Sequence, residues 1–312
     1  MSSESDIIAL SSMPDGTSPM KLEFRFVLAL IAVSLGSAIS RAQAGLSPKW
    51  EELTAPDFVA AIHQSQGVCV LPFGIIEKHG PHLPLGTDLL DVRFAALNAV
   101  KQDYAVVFPE YYFGQIFEAR HQPGTIAYSL ATQLTLLQET VSEMARNGCK
   151  KVVIVNGHGG NEYLLPLFAQ VQLASPRDYV VYVFGLPKEN VPGRPALKSP
   201  MDMHAGEVET SNMMIARPDL VHQDRASQQS GADQKRDPLP GSVYTGIWWY
   251  ARFPNHYAGD GAAATKELGE FDQKEWSRQI AEALKAIKAD DASLKLQNQF
   301  YQNAQHPLDT KQ

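Results

Sequence analysis

The sequence predicts an α/β protein whose mainly parallel central sheet is covered by helices on both faces. Short apolar runs rich in valine recur along the chain. Segments with helical apolar spacing separate them. The runs are continuously apolar rather than alternating, which marks strands buried on both faces.

The elements follow in order. "TAPDFVAAIHQ" (54–64) predicts a helix with Thr54 as N-cap and Pro56 in its first turn. "GVCVLPFG" (67–74) reads as a strand closed by glycine. "DLLDVRFAALNAVKQ" (88–102) places Leu89, Val92, Ala96 and Val100 at helical spacing. "YAVVFPE" (104–110) is a second strand, and 129–148 an amphipathic helix ending at Asn147-Gly148, a good C-cap. "KKVVIVNG" (150–157) is a third strand, 161–175 a helix and "YVVYVFGL" (179–186) a fourth strand. A proline-marked loop spans 187–203, "HAGEVETSNMMIAR" (204–217) reads as a helix, and 222–242 as a polar surface excursion. An aromatic-rich segment around Trp248 precedes a last amphipathic helix over 262–288.

The first 44 residues stand apart. Lys21 and Arg25 precede an apolar run from Phe26 to about Ile39, then Ala42-Gln43-Ala44. That is the layout of a secretory signal peptide beginning at Met20, with cleavage near Ala44. The run falls short of the roughly 20 residues a spanning helix needs, so no stable membrane anchor is expected after cleavage. A single catalytic domain over 45–312 and a periplasmic or secreted location are expected. The formal net charge of −7 and the lack of a long basic run argue against nucleic acid as a partner. Cys69 and Cys149 each begin an apolar strand and are expected as buried free thiols, although export permits a disulfide.

In parallel sheets ligands bind beyond the carboxyl ends of the strands. "GIIEKHGPHLPLGTD" (74–88) follows the first strand there and "NGHGGN" (156–161) follows the third, so the two should meet. Glu77, His79 and Asp88 from one loop and His158 from the other offer mixed oxygen and nitrogen donors. Such donors suit zinc, manganese or iron. With Asp88 bridging, they divide between two metals, a pairing suited to hydrolysis. His82 is expected to be a hydrogen-bonded loop residue. On a regular helix Glu207 shares a face with His204, whereas Glu209 lies about 200° around, so Glu207 is the predicted further ligand. His256 is a candidate substrate contact, and the Trp248-Trp249 pair is expected in packing or an interface.

"LPFGIIEKHGPHLPLGTD", "VNGHGGN" and "HAGEVETS", in this order and spacing, resemble the creatininase family (creatinine amidohydrolase-like proteins) over roughly residues 50–270. The resemblance implies a three-layer α/β/α fold with a mainly parallel sheet. It also implies two divalent metals, hydrolysis of carbon–nitrogen bonds in amides or cyclic amides, and often a hexamer. Carried over by position, Glu77, Asp88 and His158 would hold one metal and His79 and Asp88 the other. A metal-bound hydroxide would attack the substrate carbonyl, and His204 would move protons. Two departures stand out. Gly160 occupies the place of a family glutamate that completes the second metal site, which makes Glu207 the expected replacement. No tryptophan lies between Trp50 and Trp248 to hold creatinine as family tryptophans do, so another amide is the expected substrate. The competing expectation is an exported metal- and ligand-binding protein of the same fold without turnover.

Overall fold

The computed structural model describes residues 45–311 apart from 189. The leader over 1–44, including the signal peptide predicted over 20–44, lies outside the described residues. From Ser47 onward the described residues form one compact unit.

The helix α1 (Ala55–Gln64) is N-capped by Thr54, whose side chain accepts from the Asp57 N–H, with proline in its first turn as its sequence requires. Four strands follow in a wholly parallel sheet of order β2-β1-β3-β4. They are β1 (Val68–Phe73), β2 (Val106–Val107), β3 (Lys151–Asn156) and β4 (Val180–Phe184). β1 pairs with β3 along its whole length, from Val68↔Lys151 to Phe73↔Asn156. The predicted second strand is reduced to two residues. Pro109 has no N–H to extend the ladder, and the Phe108 N–H closes it on the Val70 carbonyl at 2.8 Å.

Helices cover both faces. On one, Val68, Val70, Val153 and Val155 pack against α2 (Thr87–Ala99) and the long C-terminal α7 (Lys266–Ala289), through Val92, Ala96, Trp276, Ile280 and Leu284. The opposite side chains of the pleat, among them Leu71 and Ile154, are also fully buried, on the side of α3 (Leu130–Arg146) and α4 (Leu164–Val171). α3 is capped by Ser129 and ends at Asn147, followed by Gly148 at φ 103°, the left-handed turn its sequence predicts. α5 (Glu207–Ala216) packs against α7, and a short α6 (Trp248–Arg252) forms in the aromatic segment. α8 (Ser293–Gln305), not predicted, is tied back by the Tyr301 hydroxyl donating to the Gln172 carbonyl at 2.9 Å.

One expectation is corrected. Cys69 and Cys149 are joined in a disulfide across 80 residues of sequence, with Cα atoms 5.6 Å apart. Cys69 lies on β1 and Cys149 stands two residues before β3, its immediate neighbour in the sheet. That adjacency brings the two Cα atoms inside the range a disulfide spans.

Two glycines let the site assemble. A Cβ on Gly74 would stand 2.5 Å from the backbone of Leu89, and one on Gly157 2.6 Å from Val92 Cβ. The loops leaving β1 and β3 thus press against the first turns of α2, which carries Asp88.

Candidate metal centre

Glu77, His79, Asp88, His158 and His204 converge at the carboxyl edge of the sheet, all nearly or fully buried. Asp88 is in the first turn of α2, where the helix dipole favours a carboxylate. Its two oxygens face different groups. Oδ2 lies 2.8 Å from His158 Nδ1, which is also 2.9 Å from Glu77 Oε1. Oδ1 lies 2.9 Å from His79 Nε2.

The tautomers are set from behind. His158 Nε2–H donates to the Gln115 carbonyl at 3.0 Å, and His79 Nδ1–H to the Glu77 carbonyl at 3.2 Å. In neutral rings this leaves His158 Nδ1 and His79 Nε2 as lone pairs aimed at carboxylate oxygens. Glu77 Oε1 and Asp88 Oδ2 are buried with no hydrogen-bond partner among the described residues. Converging lone pairs of this kind need a positive centre between them. Without metal, protons supply it. Burial works against charge on His79 and His158, but the charge of Asp88 on His79, and of Glu77 and Asp88 on His158, overrides it. His79 is raised to about 10 and His158 well above its ordinary value. Burial likewise works against charge on Glu77, yet His158 and His204 hold its carboxyl well below the usual range. The donor set suits divalent cations with oxygen and nitrogen ligands.

The second group is completed differently from the sequence expectation. Glu209 Oε2 lies 3.8 Å from both His79 Nε2 and His204 Nδ1. Glu207 does not reach the cluster. Its Oε2 accepts the backbone N–H groups of Lys198 and Ser199, each at 2.9 Å, and so fastens the loop ahead of α5. The face-sharing expectation fails because α5 begins only at Glu207. His204 precedes the helix, and Ala205 between them has φ 54°, so helical geometry does not relate His204 to either glutamate. At position 160 a Cβ would stand 2.5 Å from His158 Nε2 and 3.0 Å from the Gln115 carbonyl. A side chain there collides with the support of His158, whereas Glu209 approaches from α5.

His204 is held by its Nε2–H, which donates to the Lys78 carbonyl at 2.8 Å, leaving Nδ1 toward Glu209. Its ring lies 4.4 Å from those of His79 and His256. His256, expected to touch substrate, is instead 2 % exposed and donates from Nε2 to Glu77 Oε2. The Trp249 indole N–H donates to His256 Nδ1 at 2.8 Å and fixes that tautomer. His256 therefore supports Glu77 and has no lone pair left for a metal. Trp249, expected in packing, thus fixes a residue of the centre, and its ring stands 6.0 Å from His204. His82 Nε2 meets Thr210 Oγ1 at 2.8 Å, the loop-supporting place expected of it. What sequence reasoning missed is the role of each: Glu209 rather than Glu207 facing His79, and Trp249 fixing His256 against Glu77. Gly206, a helix N-cap directly before "EVET", was the available signal that the helix starts after His204.

A parallel sheet with carboxylates and imidazoles gathered at its carboxyl edge defines an α/β protein with a candidate divalent-metal centre. The family model of creatininase (creatinine amidohydrolase) matches residues 51–284. Creatinine amidohydrolase of Pseudomonas putida is 27 % identical over 221 residues, covering 62 % of this chain and 84 % of that protein. The mycofactocin precursor peptide peptidase of Mycolicibacterium smegmatis is 32 % identical over 166 residues, 51 % of this chain and 62 % of that protein. Among solved structures, a Bacteroides fragilis protein assigned as a creatinine amidohydrolase superposes with a TM-score of 0.60 at 26 % identity, covering 72 % of this chain and 91 % of that one. A creatininase variant complexed with creatine gives 0.64 at 25 % identity, over 77 % and 98 %. The chain belongs to the creatininase family, which includes metal-dependent hydrolases of carbon–nitrogen bonds.

Proposed function

We propose that this chain is an exported amidohydrolase with two divalent metals, which cleaves the carbon–nitrogen bond of an amide or cyclic amide other than creatinine. The observation that carries the reading is the division of Asp88, one oxygen toward Glu77 and His158 and the other toward His79, whose Nε2 also faces Glu209. Glu77, Asp88 and His158 would hold one metal, and His79, Asp88 and Glu209 the other. Zinc fits these donors, as do manganese and iron. When bound, such a pair lowers the pKa of coordinated water and polarises a carbonyl. The protein's own groups do the rest. His204, anchored through Nε2–H, presents Nδ1 to take a proton and return it to the leaving nitrogen. Glu209 Oε2 stands 3.8 Å from that Nδ1, and the buried surroundings of Glu77 and His79 exclude bulk water.

The buried Cys69–Cys149 disulfide supports export, because such bonds persist in oxidising compartments. The sequence layout of the leader points the same way. The reading includes a homo-oligomer, a hexamer on the family resemblance. The test is hydrolysis of a panel of primary amides, lactams, N-acyl amino acids and creatinine by protein stripped with chelator and reloaded with zinc or manganese. Turnover of at least one amide, lost on stripping and regained on reloading, is expected. No turnover of any member by loaded protein would favour the binding-protein alternative.

A further inference from the structure

A cavity of about 930 Å³ opens beside the centre. Its volume lies within the range of small-molecule sites. Phe117, Leu130, Tyr163, Leu164, Ile247 and Tyr250 contribute to its walls. Gln115 and Gly160 also line it, and these are the residues against His158: the Gln115 carbonyl accepts from His158 Nε2, and Gly160 has no side chain to stand between. The cavity therefore adjoins the residues that support His158, on the side of its Nε2. Several of its apolar side chains are open to solvent, Tyr163 at 79 % and Ile247 at 60 %. Glu118 at the wall is engaged by the Gln115 amide at 3.0 Å, whereas Arg120 forms no ion pair among the described residues.

We propose that this cavity is the substrate subsite for a large apolar group. The substrate would then be a peptide-like amide bearing an aromatic or branched aliphatic side chain, such as an N-acyl amino acid, and Arg120 is the cation placed for its carboxylate. The proposal rests on the amidohydrolase reading for the chemistry, but not for the binding. A compact polar ring the size of creatinine would leave most of these walls wet. Burying an aromatic side chain against them favours the larger ligand by about tenfold or more.

The test compares N-acetyl-L-phenylalanine with N-acetylglycine, which share amide and carboxylate and differ only in the apolar group. Binding to metal-loaded full chain is measured by calorimetry and turnover by amine release. A Cβ on Gly246, in the cavity wall, meets nothing within 4 Å, so Gly246→Trp fills the space without a backbone clash. The expected result is at least about tenfold tighter binding of the phenylalanine compound, a preference that collapses in Gly246→Trp while metal content stays unchanged. Binding preference without turnover would uphold the subsite and overturn the hydrolase reading. Equal binding of the two compounds by wild type would overturn the subsite. So would a Gly246→Trp protein that keeps the preference but changes its mass by light scattering, the mark of a face covered by a second copy of the chain.

Discussion

At the residue scale the centre is a problem of unshared charge. Asp88 has two oxygens and two sets of neighbours, and each neighbouring imidazole is turned by a backbone carbonyl so that its free nitrogen points inward. This much was legible, because Glu77, His79 and His158 sit in loops that follow strands of one parallel sheet, and Asp88 starts the helix after the first of them. The choice between Glu207 and Glu209 was not. It depends on where a helix starts: with His204 before the first turn, helical spacing relates it to neither glutamate. His256 was also misjudged, because its partner Trp249 lies in a segment with no strand or helix periodicity to place it. His82 gives a prediction that can be checked without metal. Burial, with a contribution from the His79 charge, pushes its pKa down from 6.5 to about 4. In the window between those values the unfolded chain binds a proton that the folded one refuses, so stability falls as pH drops from about 6.5 to about 4. Urea midpoints measured across that window should decline, and His82→Gln should make the decline shallower. Parallel declines in both proteins would show that His82 is not responsible.

At the element scale the strands and helices that stack sequentially were readable, since each carries its own apolar period. Thr54 marked a helix start, and Asn147-Gly148 an end, at the places found. What escaped was set by neighbours distant in sequence. β2 stops at two residues because Pro109 follows, and the disulfide exists because β1 and β3 are adjacent in the sheet order. Two buried sulfurs at predicted strand starts give no sign of that adjacency by themselves. The bridge closes a long loop carrying α2, β2 and α3, so it should stabilise mainly by restricting the unfolded chain. Replacing both cysteines by alanine is expected to cost about 2–4 kcal/mol in denaturant unfolding. Free thiols titrated in the denatured, unreduced protein should number none. Two reactive thiols per chain would contradict the bridge.

At the scale of the whole molecule, one sheet edge gathers contributions from far along the chain: the loops after β1 and β3, the turn before α5 and the aromatic segment around α6. The family likeness covers this arrangement from 51 to 284 and leaves α8 outside it. Gly160 leaves room for the His158–Gln115 hydrogen bond, while Glu209 brings a carboxylate toward His79 from the other side. The central claim is that Asp88 joins two metal sites and that Glu209, not Glu207, completes the second. Elemental mass spectrometry of metal-replete, folded protein tests it most directly, on wild type beside Glu209→Gln and Glu207→Gln. The account predicts two metals per chain in wild type and in Glu207→Gln, falling toward one in Glu209→Gln. One metal or none in wild type, or a Glu209→Gln protein that keeps both, would contradict it.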